Sequence, residues 1–169
     1  MQDEGRSVSQ PIAIVEADLG NPTHQDAIVH LINAYALDPM GGGRELPEAV
    51  RAALIPGLRQ HPTTLVFLAW DQDTPVGIAV CFGGFSTFMA RPLLNIHDLA
   101  VLPAYRRQGV GRLLLEQVAA KGKELGCCKL TLEVRADNHS AQRLYEAVGF
   151  DNAASYGGAV SVRFLEKRL

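Results

Sequence analysis

Long apolar runs are missing from this sequence. The longest wholly apolar run, residues 65–70, has six residues, far fewer than the roughly 20 that a membrane-spanning helix needs. The first residues, MQDEGRSVSQ, also lack the basic and apolar order of a secretory signal. We therefore expect a cytoplasmic protein without a membrane partner.

Cysteine is scarce as well, with only Cys81, Cys127 and Cys128. An odd number without a C-x-x-C pair excludes a disulfide framework and the usual zinc or redox motifs. The histidines form no H-E-x-x-H pattern, so no metal site is expected. Cys128 falls on the apolar side of a strand pattern, which predicts a buried, inert thiol.

A strong charge of either sign is also absent. Lys and Arg total 16 against 18 for Asp and Glu, a formal net charge of −2, which gives no global field to attract nucleic acid. Any anion must therefore be bound by a local arrangement. The length of 169 residues suits one domain over residues 11–169, whereas residues 1–10 have little to bury and are expected to form a disordered tail.

Hydrophobic periodicity predicts the secondary structure of the first half. Residues 11–17 form a strand, and a helix runs from Thr23 to the stop at Asp38-Pro39. The remaining predicted segments are a flexible loop at 40–43, a helix at 46–58, and strands at 64–70 and 76–86 joined by a five-residue hairpin turn at 71–75.

The second half alternates strands and helices. A strand at 95–101 precedes an amphipathic helix at 109–125, whose predicted apolar side consists of Val110, Leu113, Leu114, Val118 and Leu125. Strict alternation predicts a strand at 128–134, a short helix follows from Asn138 to Gly149, and closing strands are expected within 155–169. This order predicts an α/β (α+β) fold, a mixed sheet with helices on its faces.

The segment most informative about function is V-L-P-A-Y-R-R-Q-G-V-G-R, residues 101–112. A strand ends, and a helix begins on glycines, where exposed amide groups and the helix dipole make an anion site. Gly109 and Gly111 let a ligand approach the backbone. Arg106, Arg107 and Arg112 add charge. A pyrophosphate would fit such a turn.

Other phosphate motifs do not match this turn. No G-x-x-x-x-G-K-[ST] sequence occurs, and the dinucleotide fingerprint needs a third glycine where this chain has Leu114. Taken alone, R-x-x-G-x-G is equally compatible with a helix that merely starts on glycine.

A second motif follows about 30 residues later: Asn138-x-x-Ala141-x-x-Leu144-Tyr145, then Gly149-Phe150. Together the two motifs resemble the GNAT superfamily of N-acetyltransferases over roughly residues 95–150. The first 90 residues fit only in element order. The resemblance implies a mostly antiparallel central sheet that splays into a V between two strands, about four flanking helices, and acetyl-coenzyme A as co-substrate.

The resemblance also implies roles for individual residues. Tyr145 would be the general acid near the thioester sulfur, although a buried tyrosine on an apolar helix face is the structural alternative. Asn138 would bind the pantetheine region as well as cap its helix. The implied cofactor-binding residues are Leu99, Val101, Arg106, Arg107, Gln108, Gly109, Val110, Gly111, Arg112 and Asn138.

His97 and Asp98 are adjacent polar residues in an apolar strand. Strand alternation predicts that they point to opposite faces. Residues 85–99 resemble the diamine and polyamine branch of the superfamily, which usually has Glu-Asp at this position. The departure leaves the general base open: His97 and Asp98 are both candidates, and a solvated strand position is the alternative.

The acetyl acceptor is expected to be a small-molecule primary amine, with a diamine or polyamine as one option. Asp38, Glu45 and Asp98 are candidates for attracting a cationic acceptor. A protein N-terminus or lysine, an aminoglycoside, an amino acid, and a catalytically silent acyl-coenzyme A-binding protein are open alternatives. A homodimer is expected from the resemblance alone.

Overall fold

The computed structural model describes residues 11–151, so the tail predicted at 1–10 and the strands predicted within 155–169 lie outside the described residues. Within 11–151, no helix combines the length and apolarity needed to cross a membrane.

Among residues 11–151, five strands form one sheet in sequential order, and the helices pack on its two faces. The strands are β1 (Ala13–Glu16), β2 (Thr64–Asp71), β3 (Thr74–Ser86), β4 (Arg91–Val101) and β5 (Leu130–Leu132). The helices are α1 (Pro22–Leu37), α2 (Glu48–Gln60), α3 (Val110–Glu124) and α4 (His139–Ala147), with a 3₁₀ turn at Pro103–Tyr105. All neighbouring strands are antiparallel except β4 and β5, which are parallel. The predicted mixed, mostly antiparallel fold class is therefore confirmed.

Each face of the sheet has its own apolar core. Under α1 and α2, Ile28 and Leu31 pack against strand residues such as Leu68 and Val80. On the other face, α3 buries Leu114 and its neighbours against a second cluster of strand side chains. Alternate residues of one strand thus serve both cores, as the two-residue period of a strand requires.

Three predictions about these elements are wrong in detail. The hairpin turn holds two residues instead of five, because β2 extends to Asp71 and β3 starts at Thr74, with Gln72 in the left-handed region at φ 53°. On α3, Leu115 is buried while Leu113 and Leu125 are exposed. The fully buried thiol is that of Cys81, whereas Cys128 is only half-buried.

The strand predicted over residues 128–134 is much shorter than its alternation suggested. Only Leu130–Leu132 pairs with β4, opposite residues 94–96. Beyond Ile96, β4 continues to Val101 with β3 as its only partner strand in the described part of the chain. The two parallel strands therefore separate, and the edge of β4 beyond Ile96 is not covered by β5.

Candidate active site

A cavity of about 950 Å³ opens where β4 and β5 separate. The turn before α3, the start of α4 and the end of α1 complete its walls. The predicted site residues that line it are His97, Leu99, Val101, Arg106, Arg107, Gly109, Gly111, Arg112, Asn138 and Tyr145. The predicted residues Asp98, Gln108 and Val110 are not among its lining residues.

The turn before α3 has the backbone of an anion site. Arg107 and Gly109 both adopt left-handed conformations, with φ of 61° and 87°, which turns successive amide groups toward one side. The first intrahelical bond runs from the Leu113 amide to the Gly109 carbonyl at 3.0 Å. By position, the amides of residues 109–112 therefore have no acceptor within the helix, and they suit a diphosphate.

The second glycine has a packing role that the sequence did not indicate. A Cβ on Gly111 would lie 2.9 Å from Leu144 Cδ2, a distance at which that side chain must move. Gly111 therefore lets α4 pack closely against the start of α3. Gly109, by contrast, has open space around it, and its left-handed conformation is the reason glycine is favoured there.

The arginine at the start of the turn is held at two of its nitrogens. Arg106 Nε donates to the Val101 carbonyl at 2.9 Å, and Nη2 donates to Asp38 Oδ2 at 2.7 Å. Gln108 folds back instead, its amide donating to the Ala104 carbonyl at 2.7 Å.

At the end of β4, the main-chain N–H and C=O groups of every second residue face the cavity. The Leu102 amide donates to Val76 of β3 at 2.9 Å, whereas the Val101 carbonyl points to the opposite edge and meets Arg106. The two-residue period then directs the peptide groups of Leu99 to the same open edge. This is the edge along which an extended pantetheine arm could add as a strand.

Helix α4 and its N-terminal cap contribute two predicted residues to the cavity. Asn138 Oδ1 accepts from the Ala141 amide at 3.1 Å, so this side chain caps the helix. About two helical turns further on, the Tyr145 ring packs edge-on against Phe150, with 5.9 Å between centroids. Burial, with a smaller contribution from Tyr35, raises the pKa of Tyr145 to about 12. Its hydroxyl is thus protonated at neutral pH and can act as a proton donor.

The prediction that His97 and Asp98 point to opposite faces is wrong. The register shifts between Val80 and Cys81, which pair with Asp98 and Ile96, so His97 is the extra residue of a β-bulge. The His97 ring contacts Phe82, which packs against the α1–α2 core, with 5.6 Å between centroids. Asp98 lies opposite Val80, a member of the same core. The bulge therefore places both side chains on the α1–α2 face.

His97 and Asp98 differ in their chemistry because their side chains differ in exposure. His97 is exposed and lines the cavity, whereas Asp98 is half-buried beneath it. Burial raises the pKa of Asp98, and the neighbouring His97 only partly offsets that effect. A carboxylate with a raised pKa is a stronger proton acceptor than an ordinary aspartate.

Sequence reasoning missed several cavity residues with functional groups, among them Tyr35, Glu133 and Arg135. Tyr35 lies in the last turn of α1, and burial together with the charge of Asp98 raises its pKa. Its position on the apolar face of a helix concealed it. Glu133 and Arg135 come just after Leu132, where the chain leaves the sheet. Their position in the cavity could have been predicted only by knowing that this strand is short.

The acidic candidates for acceptor binding are distributed differently from the prediction. Asp38 lines the cavity, but its charge is paired with Arg106. Glu45 is not a lining residue; it forms an ion pair with Arg51 and accepts from Asn33. The prediction of Glu45 as part of the acceptor cleft is therefore wrong, since its side chain is used within the α1–α2 connection.

A family profile and two sequence relatives of this chain indicate the same family. A sequence profile described as the acetyltransferase (GNAT) family matches residues 28–150. The ribosomal protein bS18-alanine N-acetyltransferase of Escherichia coli K12 is 47% identical over 59 residues, 35% of this chain and 40% of that protein. Thialysine N-epsilon-acetyltransferase of Bos taurus is 33% identical over 89 residues, 53% of this chain and 52% of that protein. These matches thus span about half or less of the relatives' length.

A solved structure extends the similarity of fold to nearly the whole chain. The structure of AAC(6')-Iy with the bisubstrate analogue CoA-S-monomethyl-acetylneamine matches with a TM-score of 0.72 at 22% identity. The match covers 95% of this chain and all of that one. The acceptors in these names differ, from a protein alanine to thialysine and an aminoglycoside, so the similarities do not select one.

Proposed function

Because the chain belongs to the acetyltransferase (GNAT) family, whose acetyl donor is acetyl-coenzyme A, we propose that it acetylates a primary amine of a small molecule. The acceptor class we propose is a cationic diamine or polyamine. The observation that carries the proposal is the cavity between β4 and β5, which has an anion-binding turn at Gly109 and the Tyr145 hydroxyl on its walls.

The main chain would hold most of the acetyl-coenzyme A. The amides of residues 109–112 suit the diphosphate, with the guanidinium groups of Arg106, Arg107 and Arg112 beside them. The open edge of β4 at Leu99 and Val101 suits the amide groups of pantetheine. Bound this way, the cofactor supplies an activated acetyl group at the end of the cavity near Tyr145.

Acetyl transfer needs a proton removed from the amine and a proton delivered to the leaving sulfur. An alkylamine with a pKa near 10.4 is only about one part in 2,500 neutral at pH 7, a handicap of roughly 4.6 kcal/mol. Asp98 and His97 are the proposed bases, acting directly or through water. After the base has taken one proton, the neutral amine nitrogen forms a bond to the acetyl carbon and the carbon–sulfur bond breaks. Tyr145 donates its proton to the sulfur, and the second proton lost by the nitrogen restores the Tyr145 hydroxyl.

A cationic acceptor is supported by the carboxylates near the cavity. Glu133 lines it, and Asp98 lies below His97 on the face formed by α1. The similarity to thialysine N-epsilon-acetyltransferase agrees with an aliphatic amine held by such groups. We further propose a cytoplasmic location and a homodimer. Light scattering on the purified protein would test the homodimer, and cell fractionation would test the location.

A second candidate is acetylation of a protein N-terminus. It is favoured by the 47% identity over 59 residues with the ribosomal protein bS18-alanine N-acetyltransferase. A peptide acceptor needs a groove wide enough for an extended chain, whereas a small amine does not.

The test has two steps. Calorimetry first measures coenzyme A binding. Thiol release from acetyl-coenzyme A is then followed over a panel of diamines, polyamines, thialysine, aminoglycosides and a peptide with an N-terminal alanine. Preferred turnover of a diamine or polyamine supports the proposal, and preferred turnover of the peptide supports the second candidate. Binding without turnover on the whole panel would favour a silent binding protein, and no binding at millimolar coenzyme A would refute the cofactor site.

A further inference from the structure

One ion pair links the cofactor turn to the acceptor side of the cavity. Arg106 Nη2 lies 2.7 Å from Asp38 Oδ2, although the two residues are 68 positions apart in the chain. The Asp38 side chain is only 13% exposed. Asp38 belongs to what we call the acceptor wall, residues 35–43, which includes the cavity residues Tyr35 and Met40.

Asp38 holds the acceptor wall together. Its carbonyl accepts from the amides of Gly41, Gly42 and Gly43 at 2.8, 3.1 and 3.0 Å. Its Oδ1 accepts from the Met40 amide at 2.8 Å. The loop also packs tightly on α1, because a Cβ on Gly41 would overlap the Tyr35 carbonyl. A displacement of Asp38 must therefore displace the loop.

Arg106 is fixed in the same way on the cofactor side. Its Nε donates to the Val101 carbonyl at 2.9 Å, in addition to the Nη2 bond to Asp38. A guanidinium has five N–H groups in a rigid plane, so about three remain for a phosphate. One planar group can therefore contact β4, the acceptor wall and a cofactor together.

We propose that Asp38 is a positioning residue that transmits cofactor binding at Arg106 to the acceptor wall. When a diphosphate immobilises Arg106, the guanidinium fixes the Asp38 carboxylate, and Asp38 fixes the loop that carries Met40. The acceptor wall is then held more firmly when cofactor is bound than when it is absent. This inference rests on the proposed function, because it requires coenzyme A to bind beside Arg106.

The charge state of Asp38 supports a persistent pair. Burial acts to raise its pKa, but the hydrogen bond from the Met40 amide and the adjacent Arg106 guanidinium outweigh burial and hold the pKa below the usual value for aspartate. Asp38 is therefore ionised at neutral pH, where the enzyme would bind its cofactor.

Hydrogen exchange tests the link without knowledge of the acceptor. Mass spectrometry follows a peptide covering residues 36–44, with and without saturating coenzyme A. In the unchanged protein, coenzyme A is expected to slow exchange in this peptide by about fivefold, the low end of typical coupling between two sites. In Arg106→Gln and in Asp38→Asn, saturated as judged by calorimetry, the slowing is expected to vanish.

Arg106→Gln is the decisive variant, because it leaves every bond that Asp38 makes within the loop. A merely structural role of Asp38 would let Arg106→Gln respond as the unchanged protein does, and that result would overturn the inference. Glu16→Gln is the matched control. It removes one carboxylate from a pair with Lys121 (3.0 Å) outside the cavity and should keep the full response.

Two further outcomes also contradict the inference. Coenzyme A could bind the unchanged protein without slowing exchange at 36–44, which would leave the proposed function intact. If calorimetry shows no binding at all, the proposed function fails with it. Circular dichroism on each variant excludes misfolding as the cause of a lost response.

Discussion

The cofactor side and the acceptor wall of the cavity are built in different ways. The cofactor side comes mostly from one stretch of sequence, because β4, the turn and α3 follow one another from Arg91 to Glu124, and of its predicted residues only Asn138 and Tyr145 come from the later α4 segment. The acceptor wall is fixed by a distant partner, Arg106, and by hydrogen bonds that converge on Asp38. The local side can be recognised from a short motif, whereas the wall depends on how the whole chain folds.

The largest expected effect is the loss of kcat in Tyr145→Phe, and Tyr35 on the acceptor wall provides the comparison. Tyr145→Phe should lower kcat by about 10²-fold, since it removes the proton donor to the leaving sulfur, and should leave coenzyme A affinity within about twofold. Steady-state kinetics and calorimetry check this. Tyr35→Phe, on the acceptor wall, is the matched control and should lower kcat much less. Unimpaired turnover in Tyr145→Phe would refute the role of Tyr145 as proton donor.

Asp98 should give the next largest effect and a pH signature. Because its folded-state pKa is raised by burial, the carboxylate forms only as pH rises through that raised value. Activity should therefore rise with pH above the usual aspartate range near 3.9. In Asp98→Asn, kcat/KM is expected to fall by about 30-fold, and this acid limb should disappear. A limb that persists unchanged would point to His97.

Much of the difference between the cofactor side and the acceptor wall could be predicted from the sequence. The turn at residues 106–111 and the Asn138 cap are local patterns, and the family and fold that they indicated are confirmed. The bulge at His97 was missed, because strand alternation does not specify the register with a partner strand. The pair of Asp38 with Arg106 was missed because ordinary sequence patterns do not relate residues 68 positions apart.

Substitution of glycine on the cofactor side should destabilise the fold. Gly109 has φ of 87°, and an L-residue in this region costs about 1–2 kcal/mol. Gly109→Ala should lower the free energy of unfolding by about that amount in urea titrations and should weaken coenzyme A binding. Unchanged stability would mean that the turn adapts, and the anion site would then need another explanation.

The same exchange should have the opposite sign in α2, which does not line the cavity. Gly57 lies within α2 and has open space around the position of a Cβ. Gly57→Ala should raise the free energy of unfolding by about 0.5 kcal/mol, since alanine favours helix more than glycine does. A loss of stability in urea titrations would show that α2 needs the flexibility of glycine at this point.

The separation of β4 from β5 also determines which kinds of mutation the proposed cofactor site can tolerate. The peptide groups at Leu99 and Val101 exist for every side chain except proline, so other substitutions can accumulate there without removing a donor or an acceptor. Deletion of one residue from β4 would instead move every following peptide group to the opposite edge. The site should therefore tolerate sequence divergence but not a change in strand length.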